Sequence, residues 1–340
     1  MPIENPFSHI QNILPAEKLI EVVFRKAMKA SASGGDKGIS PVTKARRLES
    51  KRLEACAKLF RERLSNITYQ FPNLEEIPAF YVEMIDLIIG VDSLKQILGS
   101  LTGTAQTIWR VHREHKSKIW HCNPTNARKE RKAAFGRFES IILQLEERLI
   151  TLESIRHQLK SLPAFDFENP IIVIAGYPNV GKSSFVKSVT RASPEIGSYP
   201  FTTKDVSIGH YQGKEHLKYL RCQVVDTPGI LDRPVSDRNE IEMQALAALR
   251  HLPTMILFLV EKNEIEKQLA LFNELRNEFE DIPIFIALSK SDLFTETEKS
   301  ELYSFIEKIT KQQPIAAFSC FNSQETDDFM QKLFEKVIKI

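Results

Sequence analysis

The sequence contains a nonapeptide that reads Gly176-Tyr177-Pro178-Asn179-Val180-Gly181-Lys182-Ser183-Ser184. It follows the pattern G-x-x-x-x-G-K-S, which is typical of loops that bind phosphate. The apolar run 171–175 before it predicts a buried strand, and apolar residues after it continue at helical spacing. Because the loop's N–H groups and the helix N-terminus would surround an anion, we predict a nucleotide site over all nine residues. Lys182 is expected to reach the β- and γ-phosphates, and Ser183 to bind Mg²⁺.

Composition indicates an ordinary globular protein with room for two domains. The chain has 340 residues, of which 42% are hydrophobic and 26% are charged. No apolar run approaches the length of a membrane span, and the first residues carry no signal-peptide pattern. The four cysteines are scattered, so we expect free thiols in a reducing compartment and no cysteine metal site. Neither a membrane nor a DNA partner is expected.

Charge is distributed unevenly along the chain. Residues 1–165 hold 26 Lys and Arg against 18 Asp and Glu, whereas residues 166–340 hold 20 against 26. A basic half suggests a polyanionic partner, although solvated helix faces alone could produce a smaller bias.

The first half shows helical periodicity and no strand-like alternation. Helices are predicted at 15–29, 43–64, 80–97, 103–121 and 128–159, which together indicate an all-α bundle. A proline-containing stretch then ends the last helix. We therefore predict a helical domain over 1–162, a linker over 163–170 and a second domain over 171–340.

One stretch of the first half, 110–137, is strongly basic and interleaved with aromatic residues. Only Glu114 and Glu130 oppose its cations, which are Arg110, Arg113, Lys116, Lys118, Arg128, Lys129, Arg131, Lys132 and Arg137. Such a surface suits RNA phosphates and base stacking. The alternative is an exposed pair of helices whose tryptophans, Trp109 and Trp120, belong to the core.

Two segments after the phosphate loop predict contacts to Mg²⁺ and the γ-phosphate. Residues 199–205 form a predicted loop in which Thr203, rather than Thr202, is the expected Mg²⁺ ligand. A strand then ends at Asp226-Thr227-Pro228-Gly229. Asp226 would hold Mg²⁺ through water, and the Gly229 N–H would reach the γ-phosphate.

A later segment, Ser289-Lys290-Ser291-Asp292, predicts recognition of guanine. It follows a predicted strand at 284–288, which is itself preceded by one at 255–259. Asp292 would accept from guanine N1–H and the 2-amino group, while the Lys290 stem would cover the base. Ser289 departs from the usual asparagine. Because serine is shorter, we expect that a bond to the base or the phosphate loop is lost and that nucleotide affinity suffers more than base choice.

A last strand is predicted at 315–318 and leads to Ser319-Cys320-Phe321, where the Cys320 N–H could meet guanine O6. Helices are predicted between the strands at 237–251, 264–279, 297–311 and 324–338. This alternation indicates an α/β domain with a mostly parallel sheet, helices on both faces and ligands at the carboxyl ends of the strands. Together with the phosphate loop and the guanine-reading segment, it predicts an α/β P-loop GTPase domain.

Taken together, these motifs resemble the Obg-related GTPases. The likeness rests on 176–184, on 201–204 and on 226–234, and the continuation through 238–252 is similar to the nucleolar GTP-binding (Nog) branch. It extends to 78–81 and 155–159. The resemblance implies a GTPase that assists assembly of the large ribosomal subunit, with the basic helices touching rRNA or a ribosomal protein. Because the chain stops at Ile340, it resembles the short archaeal form, which implies a cytoplasmic location.

The resemblance also implies that a bound K⁺ assists hydrolysis, held by Asn179 and loop carbonyls. The catalytic residues expected are then Lys182, Thr203, Gly229 and Asn179. Ile230 occupies the place where Ras-like enzymes carry a water-orienting glutamine, so turnover is expected to be slow without a ribosomal activator. Two alternatives stay open: a slow GTP-binding scaffold, and a signalling GTPase with a protein partner and no RNA. The sequence leaves open the oligomeric state, the exchange factor and any arginine finger.

Overall fold

A computed structural model describes residues 4–31, 39–190, 194–197, 205–213, 221–234, 238 and 240–337. Contacts divide the chain into two compact units. The helical unit comprises Pro6–Ile77 and Ile88–Lys160, and the sheet unit comprises Met1–Asn5, Pro78–Leu87 and Ser161–Ile340. These units differ from the predicted division at 162 in two respects, because both Met1–Asn5 and Pro78–Leu87 belong with the sheet unit.

Long helices build the helical unit, as the sequence predicts. The helices of the first half are α1 (Ala16–Met28), α2 (Pro41–Gln70), α3 (Ala79–Ile88), α4 (Val91–His121), α5 (Pro124–Leu143) and α6 (Glu146–Ser161). Side-chain caps fix the beginnings of two of them. Ser40 Oγ accepts from the Thr43 N–H at 3.3 Å, and Asn123 Oδ1 accepts from the Asn126 N–H at 2.9 Å.

Two predicted helix boundaries are wrong. The helix predicted at 80–97 is interrupted at Gly90, whose φ of 85° lies in the left-handed region that glycine favours, and α4 continues from Val91 through the predicted gap to His121. The helix predicted at 128–159 ends at Leu143. A turn follows in which the Leu145 N–H donates to Ile142 O at 2.9 Å, and α6 then begins at Glu146.

Aromatic packing and one buried ion pair hold the helical unit together. The Phe24 ring stacks on Phe135 with centroids 4.7 Å apart, and Phe60 meets Phe138 edge-on at 6.2 Å. The guanidinium of Arg131 pairs with Glu49, and both side chains are at most 10% exposed. Removing one partner of such a pair leaves an uncompensated buried charge, so Arg131 is part of the core.

The residues predicted as a linker are packed within the sheet unit. Tyr81 of α3 donates its hydroxyl to Pro163 O at 3.0 Å and accepts from the Phe165 N–H at 3.2 Å. Burial raises the pKa of Tyr81 to about 12. Phe165 also meets the Phe80 ring edge-on, with centroids 5.2 Å apart. The segment is therefore a structural part of its unit rather than a free connection.

A mostly parallel sheet forms the centre of the sheet unit, as predicted. Its strands are β1 (Ile171–Ala175), β2 (Glu195–Gly197), β3 (Val206–Gln212), β4 (Arg221–Asp226), β5 (Met255–Val260) and β6 (Ile284–Leu288), in the order β2-β3-β4-β1-β5-β6. β1 pairs in parallel with β4 and β5, and β5 with β6, while β2, β3 and β4 pair antiparallel. The carboxyl ends of β1, β4, β5 and β6 therefore lie along one edge.

The helices of the sheet unit follow the predicted alternation with strands. They are α7 (Lys182–Val189), α8 (Glu240–Leu249), α9 (Ile265–Glu278), α10 (Glu296–Thr310) and α11 (Ser323–Val337). α7 contacts α11, and α9 contacts α10. No helix in the described ranges is long and apolar enough to cross a membrane.

The sheet differs from the prediction at both ends. β2 and β3 were not predicted, because β3 places Ser207, His210 and Gln212 among its apolar residues and so lacks a continuous apolar run. The strand predicted at 315–318 forms only a bridge between Leu288 and Ala317, supported by the Phe318 N–H donating to Leu288 O at 2.9 Å. Because residues 317–318 lie beside the end of β6, residues 319–321 nevertheless lie at the sheet edge where the parallel strands end.

Candidate nucleotide-binding site

The phosphate loop joins the end of β1 to the beginning of α7. Its backbone has positive φ at Gly176 (135°), Asn179 (67°) and Gly181 (102°). A Cβ at Gly176 would lie 2.4 Å from Leu259 O, so the close approach of the loop to β5 requires glycine. The loop is therefore shaped by its glycines to present backbone groups toward a cavity.

Lys182 projects inside this loop. Its Nζ donates to Gly176 O at 2.7 Å and to Tyr177 O at 2.9 Å, and the residue is 8% exposed. A cavity of about 350 Å³ opens beside it. The residues that line this cavity are Pro178, Asn179, Gly181, Lys182, Ser183, Ser184, Asp226, Pro228 and Asp232.

Two of the three predicted Mg²⁺ ligands meet at this cavity. Ser183 Oγ donates to Asp226 Oδ2 at 2.5 Å, and Asp226 is fully buried at the end of β4. A hydroxyl and a carboxylate are oxygen ligands of the kind that Mg²⁺ prefers, so the donor set fits the ion. The third predicted ligand, Thr203, lies outside the described residues.

The segment after β4 is linked to the phosphate loop through its backbone. The Gly176 N–H donates to Leu231 O at 3.1 Å, and the Gly229 N–H, predicted to reach a γ-phosphate, donates to Asp232 Oδ2 at 3.0 Å. Thr227 and Ile230 are buried. Asp232 thus places a carboxylate at the phosphate side of the cavity, which the motif analysis did not foresee.

Both arginines of this segment, Arg233 and Arg238, have partners within the chain. Arg233 forms an ion pair with Glu242, and Arg238 donates to Arg233 O at 2.9 Å. Arg238 is 9% exposed, and its burial lowers the pKa of the guanidinium. Both side chains therefore contact groups of their own segment and of the helix that follows it.

A second cavity, of about 540 Å³, adjoins the first and carries the predicted guanine readers. Its lining residues are Asn179, Val180, Gly181, Ser184, Lys187, Ser188, Ser289, Lys290, Asp292, Leu293, Ser319, Cys320 and Phe321. Asn179, Gly181 and Ser184 line both cavities, so the two are parts of one cleft. The cleft is large enough for a nucleotide, with phosphate groups at one end and a base at the other.

Lys290, Cys320 and Phe321 line this second cavity and differ in their partners and their burial. Lys290 has φ of 59°, and its ammonium pairs with Glu261, which directly follows β5. Cys320 is half-buried, and burial raises the pKa of its thiol, so the backbone N–H rather than a thiolate is the group it offers. Phe321 is 95% exposed at the cavity edge.

Of the two bonds that Ser289 is expected to lose, the one to the phosphate loop is present, and the loss of a bond to the base stays a prediction. Ser289 Oγ lies 2.6 Å from Val180 O, to which it donates, and 3.1 Å from Val260 O. The serine is short, but the backbone of the loop approaches closely enough for the hydroxyl to reach it. Because the group is 1% exposed, this bond is shielded from water and links the base side of the cleft to the phosphate side.

The motif analysis missed three acidic residues that hold the site: Asp232, Glu261 and Glu325. Glu325 is the most connected, because its carboxylate accepts from Ser291 Oγ at 2.6 Å and from the Ser319 N–H at 3.1 Å. The sequence carries one signal for it, since the spacing Asn322-x-x-Glu325 is typical of the beginning of a helix. That signal predicts a cap but not the contacts to the two loops.

Comparison with known families matches both units. Residues 7–166 match the family described as "NOG1 N-terminal helical domain", and residues 171–290 match "50S ribosome-binding GTPase". An uncharacterized protein of Methanocaldococcus jannaschii is 36% identical over 298 residues, which cover 86% of this chain and 82% of that protein.

Two eukaryotic relatives carry the name nucleolar GTP-binding protein 1. The Drosophila melanogaster protein is 33% identical over 327 residues, covering 94% of this chain and 49% of the relative. The Saccharomyces cerevisiae protein is 27% identical over 343 residues, covering 97% of this chain and 52% of the relative. The chain thus spans about half the length of these relatives.

The Ser289 contact generates a prediction. Ser289→Ala should weaken nucleotide binding by about 5- to 30-fold, because the loop carbonyl of Val180 loses a buried partner worth roughly 1–2 kcal/mol. Isothermal titration with guanosine diphosphate measures the loss. Ser304→Ala is the matched control, since its hydroxyl donates to Ser300 O within its own helix, α10. Equal affinities for all three proteins would show that the Ser289 bond does not hold the loop in a binding conformation.

Proposed function

Because the chain belongs to the family of nucleolar GTP-binding protein 1, we propose that it is a GTPase switch in assembly of the large ribosomal subunit. The observation that carries the proposal is the single cleft, which combines the phosphate loop with Asp292 and Cys320. GTP would order the segments that carry Thr203 and Gly229, and hydrolysis to GDP and phosphate would release them.

The residues of the cleft act on the phosphates by position and charge. The Lys182 ammonium leaves its two loop carbonyls to contact the β- and γ-phosphate oxygens, and the loop N–H groups stabilise charge that develops between those phosphates. The Gly229 N–H donates to the γ-phosphate in exchange for Asp232. Ile230 is buried and has no polar side-chain group to orient water, which supports slow intrinsic turnover.

Ser183, Thr203 and Asp226 would hold Mg²⁺, Asp226 through water. The ion supplies neutralising charge to the β- and γ-phosphate oxygens when it is bound. The hydrogen bond between Ser183 and Asp226 supports this assignment, because it brings the two oxygen ligands to one side of the phosphate cavity.

Exchange of Asp292 tests guanine recognition. Asp292→Asn should reduce GTP affinity by about 100-fold, because a carboxylate that accepts from N1–H and the 2-amino group makes two charge-assisted bonds. The mutant should gain affinity for xanthosine triphosphate, whose 2-oxo group accepts from an amide. Competition binding with both nucleotides measures the switch. Asp281→Asn, at an exposed position after α9, is the control. Unchanged GTP preference in Asp292→Asn would contradict the proposed function.

The helical unit would supply the contact to rRNA or a ribosomal protein. Within the basic stretch the structure leaves Arg110, Arg113, Arg128, Lys129 and Lys132 exposed on α4 and α5. Trp120 is also exposed, at 39%, whereas Trp109 is half-buried with the Arg61 guanidinium 5.5 Å from its ring centre. Trp120 is thus accessible for stacking on an RNA base, as the RNA interpretation requires. Trp109 is partly packed within its own unit, as the alternative with core tryptophans requires.

Charge reversal tests the RNA contact. The triple variant Arg128→Glu, Lys129→Glu and Lys132→Glu should weaken rRNA or subunit binding and reduce the slope of log affinity against log salt by roughly 2–3. Arg131 is left intact, because reversing it would break the buried pair with Glu49. The matched control reverses three exposed lysines of the sheet unit, Lys308, Lys332 and Lys336. Identical salt slopes for the two variants would remove this surface from RNA binding, as the signalling alternative requires.

A bound K⁺ would supply part of the transition-state stabilisation that Ile230 does not provide. Asn179 supports this, because it lines both cavities and its backbone is held at φ of 67° within the loop. The loop carbonyls expected to complete the coordination, around 199–201, lie outside the described residues. The competing role for Asn179 is a cap of the loop's own backbone.

The cation prediction compares turnover in K⁺ and Na⁺ at matched ionic strength, with ribosomal subunits present. Wild type should be faster in K⁺, and both Asn179→Gly and Asn179→Ala should lose the difference. Glycine tolerates the positive φ, so a loss in that variant reports the side chain rather than backbone strain. Binding of a non-hydrolysable GTP analogue in both salts gives a second readout. Equal wild-type rates in the two salts would refute the K⁺ assignment, and absent single-turnover hydrolysis would favour the scaffold alternative.

A further inference from the structure

We propose that Glu325 is a positioning residue for guanine recognition, because its carboxylate holds the loop of Asp292 and the loop of Cys320 at a fixed separation. The inference rests on the proposed function and names a residue of the same site that none of the motifs contains. Glu325 lies in the first turn of α11, outside the phosphate-binding and base-reading segments.

One carboxylate oxygen joins the two loops. Glu325 Oε2 accepts from Ser291 Oγ at 2.6 Å and from the Ser319 N–H at 3.1 Å. Ser291 directly precedes Asp292, and Ser319 directly precedes Cys320. Both serines are at most 6% exposed, so these bonds are shielded from competing water. The oxygen therefore holds the residue immediately before each base-reading group, through the side chain of Ser291 and through the backbone of Ser319.

Guanine makes this separation important. Its N1–H and 2-amino group would face the Asp292 carboxylate while O6 faces the Cys320 N–H, so the two loops must contact adjacent edges of one rigid ring. Such contacts need placement to within about 0.5 Å. A backbone bond from the Ser291 N–H to Phe318 O, at 3.0 Å, already fixes the bases of the loops. Glu325 adds a second link between the two loops, through the Ser291 side chain and the Ser319 backbone, next to Asp292 and Cys320.

The other carboxylate oxygen has a separate, structural role. Glu325 Oε1 accepts from Asn322 Nδ2 at 2.9 Å, while Asn322 Oδ1 accepts from the Gln324 N–H at 3.1 Å and the Glu325 N–H at 3.3 Å. These contacts cap the beginning of α11. Asn322→Ala removes the cap but leaves the contacts of Oε2, and so separates the two roles.

The experiment measures affinity for four nucleoside diphosphates by isothermal titration. GDP offers both edges, IDP lacks the 2-amino group, the 2-aminopurine riboside diphosphate lacks O6 and with it the N1 proton, and ADP offers neither guanine contact. Glu325→Ala should bind GDP about tenfold more weakly than wild type and ADP equally well. The penalty for deleting either the 2-amino group or O6 should shrink, because the variant cannot satisfy both contacts together.

Variants around the carboxylate sharpen the test. Glu325→Gln preserves the side-chain volume and should fall between wild type and Glu325→Ala, since its amide oxygen can still accept both bonds but without the charge of the carboxylate. Ser291→Ala should also be intermediate, and combining it with Glu325→Ala should add no further loss. Asn322→Ala should lower the melting temperature while keeping the wild-type preference for GDP over ADP.

Two results would overturn the inference. If Glu325→Ala weakens GDP and ADP binding equally, the residue is a helix cap alone. If Asn322→Ala loses guanine preference as Glu325→Ala does, selectivity depends on the cap rather than on the bridge. A wild-type protein with no preference for GDP over ADP would instead overturn the proposed function, and with it the base site on which the inference rests.

Discussion

Parallel pairing of β1 with β4 and β5 is the constraint on which the rest of the site depends. The register sets Ile174 opposite Asp226, the last residue of β4, and opposite Leu257, three residues before the end of β5. The phosphate loop therefore leaves β1 just beyond the level of Asp226, while β5 continues beside the loop. The phosphate loop, the Asp226 carboxylate and the Ser289 hydroxyl then converge without any long-range adjustment. Gly176 permits this convergence, because only a residue without a side chain fits beside Leu259 O.

The fold and the residues of the cleft could be predicted because their signals are local. A glycine loop between an apolar strand and a helix has few alternatives, and each later motif follows a short apolar run. β3 is not predicted because it mixes polar and apolar residues. The break at Gly90 is not predicted because the apolar periodicity continues across it. β3 is selected by its pairing with β2 and β4, whereas at Gly90 the left-handed backbone of one glycine outweighs the apolar periodicity.

Contacts between distant segments account for what the sequence could not show. Residue types could not reveal that Ser289 reaches Val180 O, since that depends on how closely two loops approach. The basic stretch illustrates the same limit for charge. Arg131 and Lys132 are adjacent and equally cationic, yet one is buried against Glu49 and the other is exposed. Helical phase decides which charge belongs to the core and which is available to a partner.

The bond between Gly229 and Asp232 gives the segment after β4 an internal competitor. A γ-phosphate that is to accept from the Gly229 N–H must displace the Asp232 carboxylate. This carboxylate is only three residues away along the chain, so its effective concentration at the N–H is high. When the phosphate is lost, the Gly229 N–H can again donate to the Asp232 carboxylate, which is part of the same chain. Under the proposed function, ordering of this segment by GTP would be an exchange between two acceptors, and its free-energy change would be smaller than that of forming a new bond.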